Sequence, residues 1–130
     1  MRILLADGET RVRFALRVLL LHQPGIELAG EASRASDLFE ALAQGSPDVV
    51  LLDWELPGLA GAQLVKAVRR LCPRAPIIVL SGKPDVRRAA LSAGADAFVS
   101  KADPPERLVS ALADCCDDPA PRPGIAYAAC

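Results

Sequence analysis

The chain has 130 residues, a formal net charge of −1, 52% hydrophobic residues and only 4% aromatics. That length suits one domain with a substantial core, built here mainly of Leu, Val, Ile and Ala. A balance this close to neutral lacks the basic footprint of a nucleic-acid binder, and the apolar runs are far too short to span a bilayer. The N-terminus enters a strand with no signal-peptide pattern, and Cys72, Cys115, Cys116 and Cys130 form no C-x-x-C pair. The expectation is a reduced, cytoplasmic protein whose cysteines are small buried hydrophobes or surface thiols.

Taken in chain order, Arg2 to Ala6 reads as a strand. A helix follows in which Val12, Leu16, Leu19 and Leu20 recur on one face while Arg11, Arg13 and Arg17 take others, and Pro24-Gly25 ends it. Ile26 to Gly30 reads as a short strand. Ser33 or Ser36 suits the cap of a second helix carrying Leu38 and Leu42, closed by Gly45-Ser46-Pro47. Val49 to Asp53 is an uninterrupted apolar run ending in a carboxylate, the pattern of a parallel strand covered on both faces. A long loop, Trp54 to Gly61, precedes a third helix with Leu64, Val68 and Leu71 inward. Ile77 to Leu80 forms a fourth strand, Asp85 to Ala93 a weak helix with few large apolar residues, and Ala97 to Ser100 a fifth strand. Pro104-Pro105-Glu106 opens a last helix with Leu108, Leu112 and Cys115 on one stripe.

Strands alternating with helices through short connections imply right-handed βαβ units and a parallel sheet with helices on both faces. Five such units suit an α/β, flavodoxin-like, doubly wound five-stranded sheet, with 2-1-3-4-5 as the expected order. The pattern covers residues 1–116. From residue 117 to 130 it stops, and Asp117-Asp118-Pro119-Ala120-Pro121-Arg122-Pro123-Gly124 reads as a linker or frayed tail.

Ligands of such sheets bind beyond the carboxyl ends of the strands. In the expected order those ends bring together Asp7 with Glu9 from strand 1, Asp53 from strand 3, Ser81 from strand 4 and Lys101 from strand 5. Clustered carboxylates call for a cation, and hard Mg²⁺ favours carboxylates, carbonyls and water. A lysine and a hydroxyl beside them suit a phosphoryl group, and an aspartate can accept that group as an acyl phosphate. Each residue alone has a plainer reading: Asp53 as a turn cap, Ser81 as a helix cap, Phe98 as core, Lys101 as a solvated charge.

Together these residues resemble the phosphoacceptor pocket of bacterial two-component response-regulator receiver domains. Pro47-Asp48-Val49-Val50-Leu51-Leu52-Asp53 followed by Leu56-Pro57-Gly58 is similar to the family's acceptor strand and loop, and Gly94-Ala95-Asp96-Ala97-Phe98 with Ser100-Lys101 to its fifth strand. The resemblance implies a phosphorylation-controlled signalling switch, not a turnover enzyme, with a sensor histidine kinase as its phosphoryl donor and partner. It implies Asp53 as phosphoacceptor and Mg²⁺ ligand, Asp7 as a metal residue, the Glu55 backbone carbonyl as a further metal ligand, and Ser81 and Lys101 as partners of the phosphoryl group. Ser81 and Phe98 would form the switch pair, Phe98 turning inward as the hydroxyl moves toward phosphate. The Arg13 to Leu20 region and the residues after Lys101 lean toward the subgroup that usually carries a C-terminal helix-turn-helix DNA-binding domain; no such domain lies within these 130 residues.

Two departures stand out. The family has two adjacent acids after strand 1, the second a direct metal ligand; this chain reads Asp7-Gly8, with Glu9 expected to face elsewhere. Mg²⁺ binding is therefore expected to be weak, and the competing reading is a pseudo-receiver that binds partners independently of phosphorylation. Ala102 follows Lys101 where many receivers have a cis proline, so a trans bond is expected there. A weak homodimer is expected through helix 4, strand 5 and helix 5, with Arg87 and Arg88 meeting Asp96 and Asp103 of a second copy. No nucleic-acid or membrane contact is expected of this chain.

Overall fold

The apolar runs pair into one five-stranded parallel sheet. A computed structural model describes residues 1–116, and the expected tail, 117–130, lies outside the described residues. The strands are β1 (Arg2–Ala6), β2 (Glu27–Ala32), β3 (Val49–Asp53), β4 (Ile77–Ser81) and β5 (Ala97–Ser100), and the helices α1 (Thr10–Leu21), α2 (Ala35–Gln44), α3 (Gly61–Leu71), α4 (Arg87–Ala93) and α5 (Pro105–Cys116). The strand order is β2-β1-β3-β4-β5, as expected from the sequence.

Alternation along each strand divides the core into two layers. Leu4, Val50, Leu52, Ile77, Val79 and Phe98 point to the face covered by α2, α3 and α4. Ile3, Leu5, Leu51, Ile78, Leu80 and Val99 point to the face covered by α1 and α5. Every residue of β3 and β4 is buried, which is why both read as unbroken apolar runs. Where the apolar run of β3 meets its polar end, Asp53 is carried to the carboxyl edge of the sheet, level with Leu80 of β4. Among the described residues no helix is long and apolar enough to cross a membrane.

Several boundaries differ from the sequence reading. β2 runs Glu27–Ala32 rather than Ile26–Gly30: as an edge strand it needs no apolar run, and its limits follow from pairing with β1, with a register shift between Ile3 and Leu4. Neither Ser33 nor Ser36 caps α2; Arg34, in extended backbone, is the cap residue and makes no side-chain cap. Leu71 is 46% exposed, and Cys72 beyond the helix end fills the buried place instead. Pro84–Val86 forms a 3₁₀ turn, so α4 starts at Arg87 and is only two turns long. All peptide bonds in the described residues are trans, including Lys101–Ala102.

Candidate functional site

The carboxyl ends of β1, β3, β4 and β5 close around one polar pocket. Asp7 and Ser81 are wholly inaccessible and Asp53 is 3% exposed; they are the buried polar side chains among the described residues. Polar groups at such depth must be satisfied locally. Asp7 Oδ1 accepts the Glu9 amide at 2.8 Å, and Asp53 Oδ1 accepts the Glu55 amide at 3.0 Å. These are matching Asp-turns, one after each strand. Ser81 Oγ accepts the Lys83 amide at 3.0 Å, which leaves its hydroxyl proton free to donate. Arg13 Nη1 of α1 donates to the Asp7 carbonyl at 2.8 Å and ties that helix to the β1 end.

Lys101 completes the pocket. Its Nζ lies 2.9 Å from Asp7 Oδ2, 3.4 Å from Asp53 Oδ1 and 3.7 Å from Glu9 Oε1. Its backbone is fixed because its amide donates to the Ser81 carbonyl at 2.9 Å. Burial alone would lower the Lys101 pKa, but hydrogen bonding to Asp7 and the charges of Asp53 and Asp7 outweigh it and raise it above 10.5. Burial pushes the Asp7 carboxyl above 3.8 and the charge of Asp53 adds to the rise; the Glu9 amide and Lys101 act against it.

The structure thus brings together Asp7, Asp53, Ser81 and Lys101, the four residues that the strand-end pattern singles out. Glu9 differs from expectation: its carboxylate is 69% exposed but turns toward Lys101 rather than away. The Glu55 side chain stands at the rim, 3.8 Å from Lys83 Nζ. Phe98 lies in the core, 5% exposed and under the Arg87 guanidinium, so it is already turned inward. The contacts of Arg13 and Pro57 with the β1 end are not legible in the sequence, since they depend on how separate elements pack. The ring of Pro57 occupies the space beside Gly8: a Cβ placed on Gly8 would lie 2.6 Å from Pro57 Cδ and 2.9 Å from Cγ.

The family described as the response regulator receiver domain matches residues 3–113. The chain belongs to the response-regulator receiver domains. The transcriptional regulatory protein YhcZ of Bacillus subtilis, itself uncharacterized, is 36% identical over 111 residues, covering 84% of this chain and 52% of that protein. The chemotaxis protein CheY of Thermotoga maritima is 33% identical over 113 residues, covering 85% of this chain and 93% of that one. The receiver domain of a response regulator, NarL, from Mycobacterium tuberculosis superposes with a TM-score of 0.80 at 29% identity, covering 90% of this chain and 96% of that one. The receiver spans about half the length of YhcZ and also of the Pseudomonas aeruginosa regulator PhoB, of which 49% is covered.

Receivers of this family generally bind Mg²⁺ at the phosphorylation site, so the pocket can be tested for a fit. The described residues gather no group of three His, Cys, Asp or Glu side chains suited to a metal ion. Of the buried carboxylate oxygens, Asp7 Oδ1 and Asp53 Oδ1 already accept amides, and Asp7 Oδ2 faces the Lys101 ammonium. Gly8 supplies no carboxylate, and Pro57 stands where its side chain would begin. With Asp53 Oδ2 as the one unengaged oxygen of the two buried carboxylates, the pocket lacks the set of carboxylate ligands that would hold Mg²⁺ directly.

Proposed function

We propose that this receiver is a signalling switch in which Asp53 accepts a phosphoryl group from a sensor histidine kinase in the cytoplasm. The observation that carries this reading is Asp53 at the end of β3, buried beside Lys101 and next to the strand that bears Ser81. In the transfer, an Asp53 carboxylate oxygen forms a bond to phosphorus while the P–N bond of the kinase phosphohistidine breaks, and the imidazole leaves with that electron pair. Asp53 Oδ2, which makes no hydrogen bond among the described residues, is the oxygen free to attack. The Lys101 ammonium neutralises charge on the phosphoryl group, and the Ser81 hydroxyl donates to one of its oxygens. No turnover is implied, since the acyl phosphate is the signal.

The test is incubation with a small-molecule phosphodonor, followed by intact mass and mapping of the adduct. One phosphoryl group is expected on Asp53 and none in Asp53→Asn. An adduct that persists in Asp53→Asn removes Asp53 as the acceptor. No adduct in the native receiver would favour the second reading, a pseudo-receiver that engages partners without phosphorylation. The bridging of Asp7 and Asp53 by Lys101 and the absence of a carboxylate at Gly8 are what favour that alternative.

The same reading includes a weak homodimer through α4, β5 and α5. Leu91 is 41% exposed there, and Arg87 and Arg88 are exposed beside it. Asp96 drops out of the expected charge pairing, because Arg69 of its own chain binds it at 2.5 Å. Asp103 is half-buried, with one carboxylate oxygen accepting the Ser100 amide. Exposed ion pairs are individually weak, so a salt-sensitive dimer is expected, dispersed by Arg87→Glu with Arg88→Glu. Sedimentation at low and high salt measures this. A native receiver that stays monomeric at low salt, or a double mutant that associates as the native chain does, excludes this face.

A further inference from the structure

The pocket places a lysine where two buried carboxylates meet, and a proline ring where a third would enter. Lys101 Nζ sits 2.9 Å from Asp7 Oδ2 and 3.4 Å from Asp53 Oδ1, close enough to counter the charge of both. Mg²⁺ demands near-octahedral oxygen ligation at about 2.0–2.1 Å. An ion taking Asp7 Oδ2 at that distance would press against an ammonium already there, and like charges at such separation in a buried pocket repel strongly. Both Oδ1 atoms accept amides and the buried Asp7 Oδ2 has the Lys101 ion pair as its one engagement, so Asp53 Oδ2 is the carboxylate oxygen of the pair left without a partner. One such oxygen is a poor anchor for an ion that sheds its hydration shell reluctantly.

Position 8 cannot simply be refilled. The nearest atom that a Cβ on Gly8 would meet is Pro57 Cδ, which is bonded to the backbone nitrogen and cannot swing away as the end of a flexible side chain would. The Pro57 backbone is itself held, since its carbonyl accepts the Ala35 amide at 2.8 Å at the start of α2. The Ser33 carbonyl closes the other side at 3.5 Å from the same Cβ position. Relief therefore requires the loop between β3 and α3 to shift, and not just one side chain. We infer that this receiver does without a divalent cation: the Lys101 ammonium is the pocket's resident cation, and the Pro57 ring fills the place from which a side chain at position 8 would supply the missing ligand. This concerns the cation of the pocket and stands whether or not Asp53 is phosphorylated.

The experiment has a steric arm and a binding arm. In the steric arm, thermal unfolding is followed in the native receiver, Gly8→Ala, Pro57→Ala and the double variant. Gly8→Ala adds only the Cβ, and overpacking of this kind corresponds to a Tm loss of about 5–10 °C. Pro57→Ala removes the Cγ and Cδ atoms that the new Cβ would strike. The double variant should therefore unfold within about 2 °C of Pro57→Ala alone, the non-additivity expected of residues in contact. In the binding arm, the native receiver, Gly8→Asp, and Gly8→Asp with Pro57→Ala are titrated with MgCl₂ by calorimetry and by Trp54 fluorescence. No saturable Mg²⁺ binding is expected in the first two, and about tenfold or greater tightening in the third as an oxygen ligand gains room. Three results overturn the inference: saturable low-millimolar Mg²⁺ binding by the native receiver, Gly8→Asp alone binding as tightly as the double variant, or Gly8→Ala as stable as the native chain. If Gly8→Asp fails to fold, the native titration and the alanine cycle still decide.

Discussion

Lys101→Met is expected to lower stability near neutral pH by about 3–5 kcal/mol, the usual cost of removing one partner from a buried charged group. Asp7 is wholly buried and Asp53 nearly so, while the Lys101 side chain is 17% exposed; methionine keeps most of the volume and removes the charge that holds the carboxylates together. The loss should depend on pH in a definite way. The Lys101 pKa is raised in the folded state, so its contribution is fully present below 10.5 and is lost as pH rises through the raised value. Asp7 is also raised, above 3.8, so its folded form holds a proton that the unfolded chain has released; that part of stability falls as pH rises between those two values. Without Lys101, Asp7 loses one of the influences that lower its pKa and is protonated at still higher pH. The gap between native and variant should therefore be widest between these two titrations. It should narrow at acid pH, as the carboxyl becomes neutral in both, and close at high pH, as Lys101 loses its charge. Urea unfolding across this range measures it. A gap below about 1 kcal/mol, or one constant with pH, would mean that Lys101 is not the counter-charge of the pocket.

The pocket was legible in the sequence because Asp7 and Ser81 directly follow an apolar run, Asp53 ends one, and Lys101 comes one residue past the run of β5. Val49 to Leu52 and Ile77 to Leu80, short β-branched-rich runs bounded by turn residues, read as strands covered on both faces, and the polar residue that comes next emerges at the carboxyl edge. Asp53 and Ser81 follow from that rule, Asp7 from the same rule on β1, and Lys101 lies just beyond Ser100, the polar end of β5. Edge strand β2 is expected from the sequence at Ile26 to Gly30, but its limits differ because its residues alternate in exposure and its start and end are set by hydrogen bonds to β1 rather than by its own composition. The missing cap on α2 has a similar cause: two serines suited the role, but the chain enters the helix through Arg34, and Ser33 Oγ lies 3.4 Å from an Asp37 carboxylate oxygen instead. Glu9 departs from expectation because the Asp7 carboxylate accepts its amide and turns the chain so that the Glu9 side chain comes within 3.7 Å of Lys101. Pro57 was seen as part of a loop signature, yet its consequence for Gly8 depends on a contact between residues far apart in the chain. Local pattern placed these residues at the sheet edge, and packing between distant segments set the Pro57 ring beside Gly8.

Arg69→Ala is expected to lose about 3 kcal/mol or more, although no sequence pattern singled this residue out. Arg69 lies in the last turn of α3 and its guanidinium gathers groups from separate segments. Nη1 donates to the Ala75 carbonyl at 2.9 Å, with longer contacts at 3.4 Å to the carbonyls of Cys72 and Pro73. Nη2 donates to the Gly94 carbonyl at 2.8 Å and pairs with Asp96 Oδ2 at 2.5 Å. Asp96 Oδ2 in turn accepts the amide of Ile77, the first residue of β4. One side chain therefore joins the end of α3, the entry to β4, and the turn between α4 and β5. Truncation strips half-buried carbonyls and a carboxylate of their donor together, and such groups cost more unpaired than the bonds themselves contribute. Arg69→Lys should recover only a minor part, because a single ammonium cannot reach the carbonyls of Ala75 and Gly94 and the Asp96 carboxylate in the planar fork geometry that arginine provides. Asp96→Asn should cost less than Arg69→Ala, since the amide oxygen can still accept from Ile77 and the carbonyl bonds of Arg69 persist. Denaturant unfolding of the three variants orders them. If Arg69→Lys matched the native receiver, charge alone would account for the clamp, and the hydrogen bonds joining α3 to the α4–β5 turn would carry none of its stability.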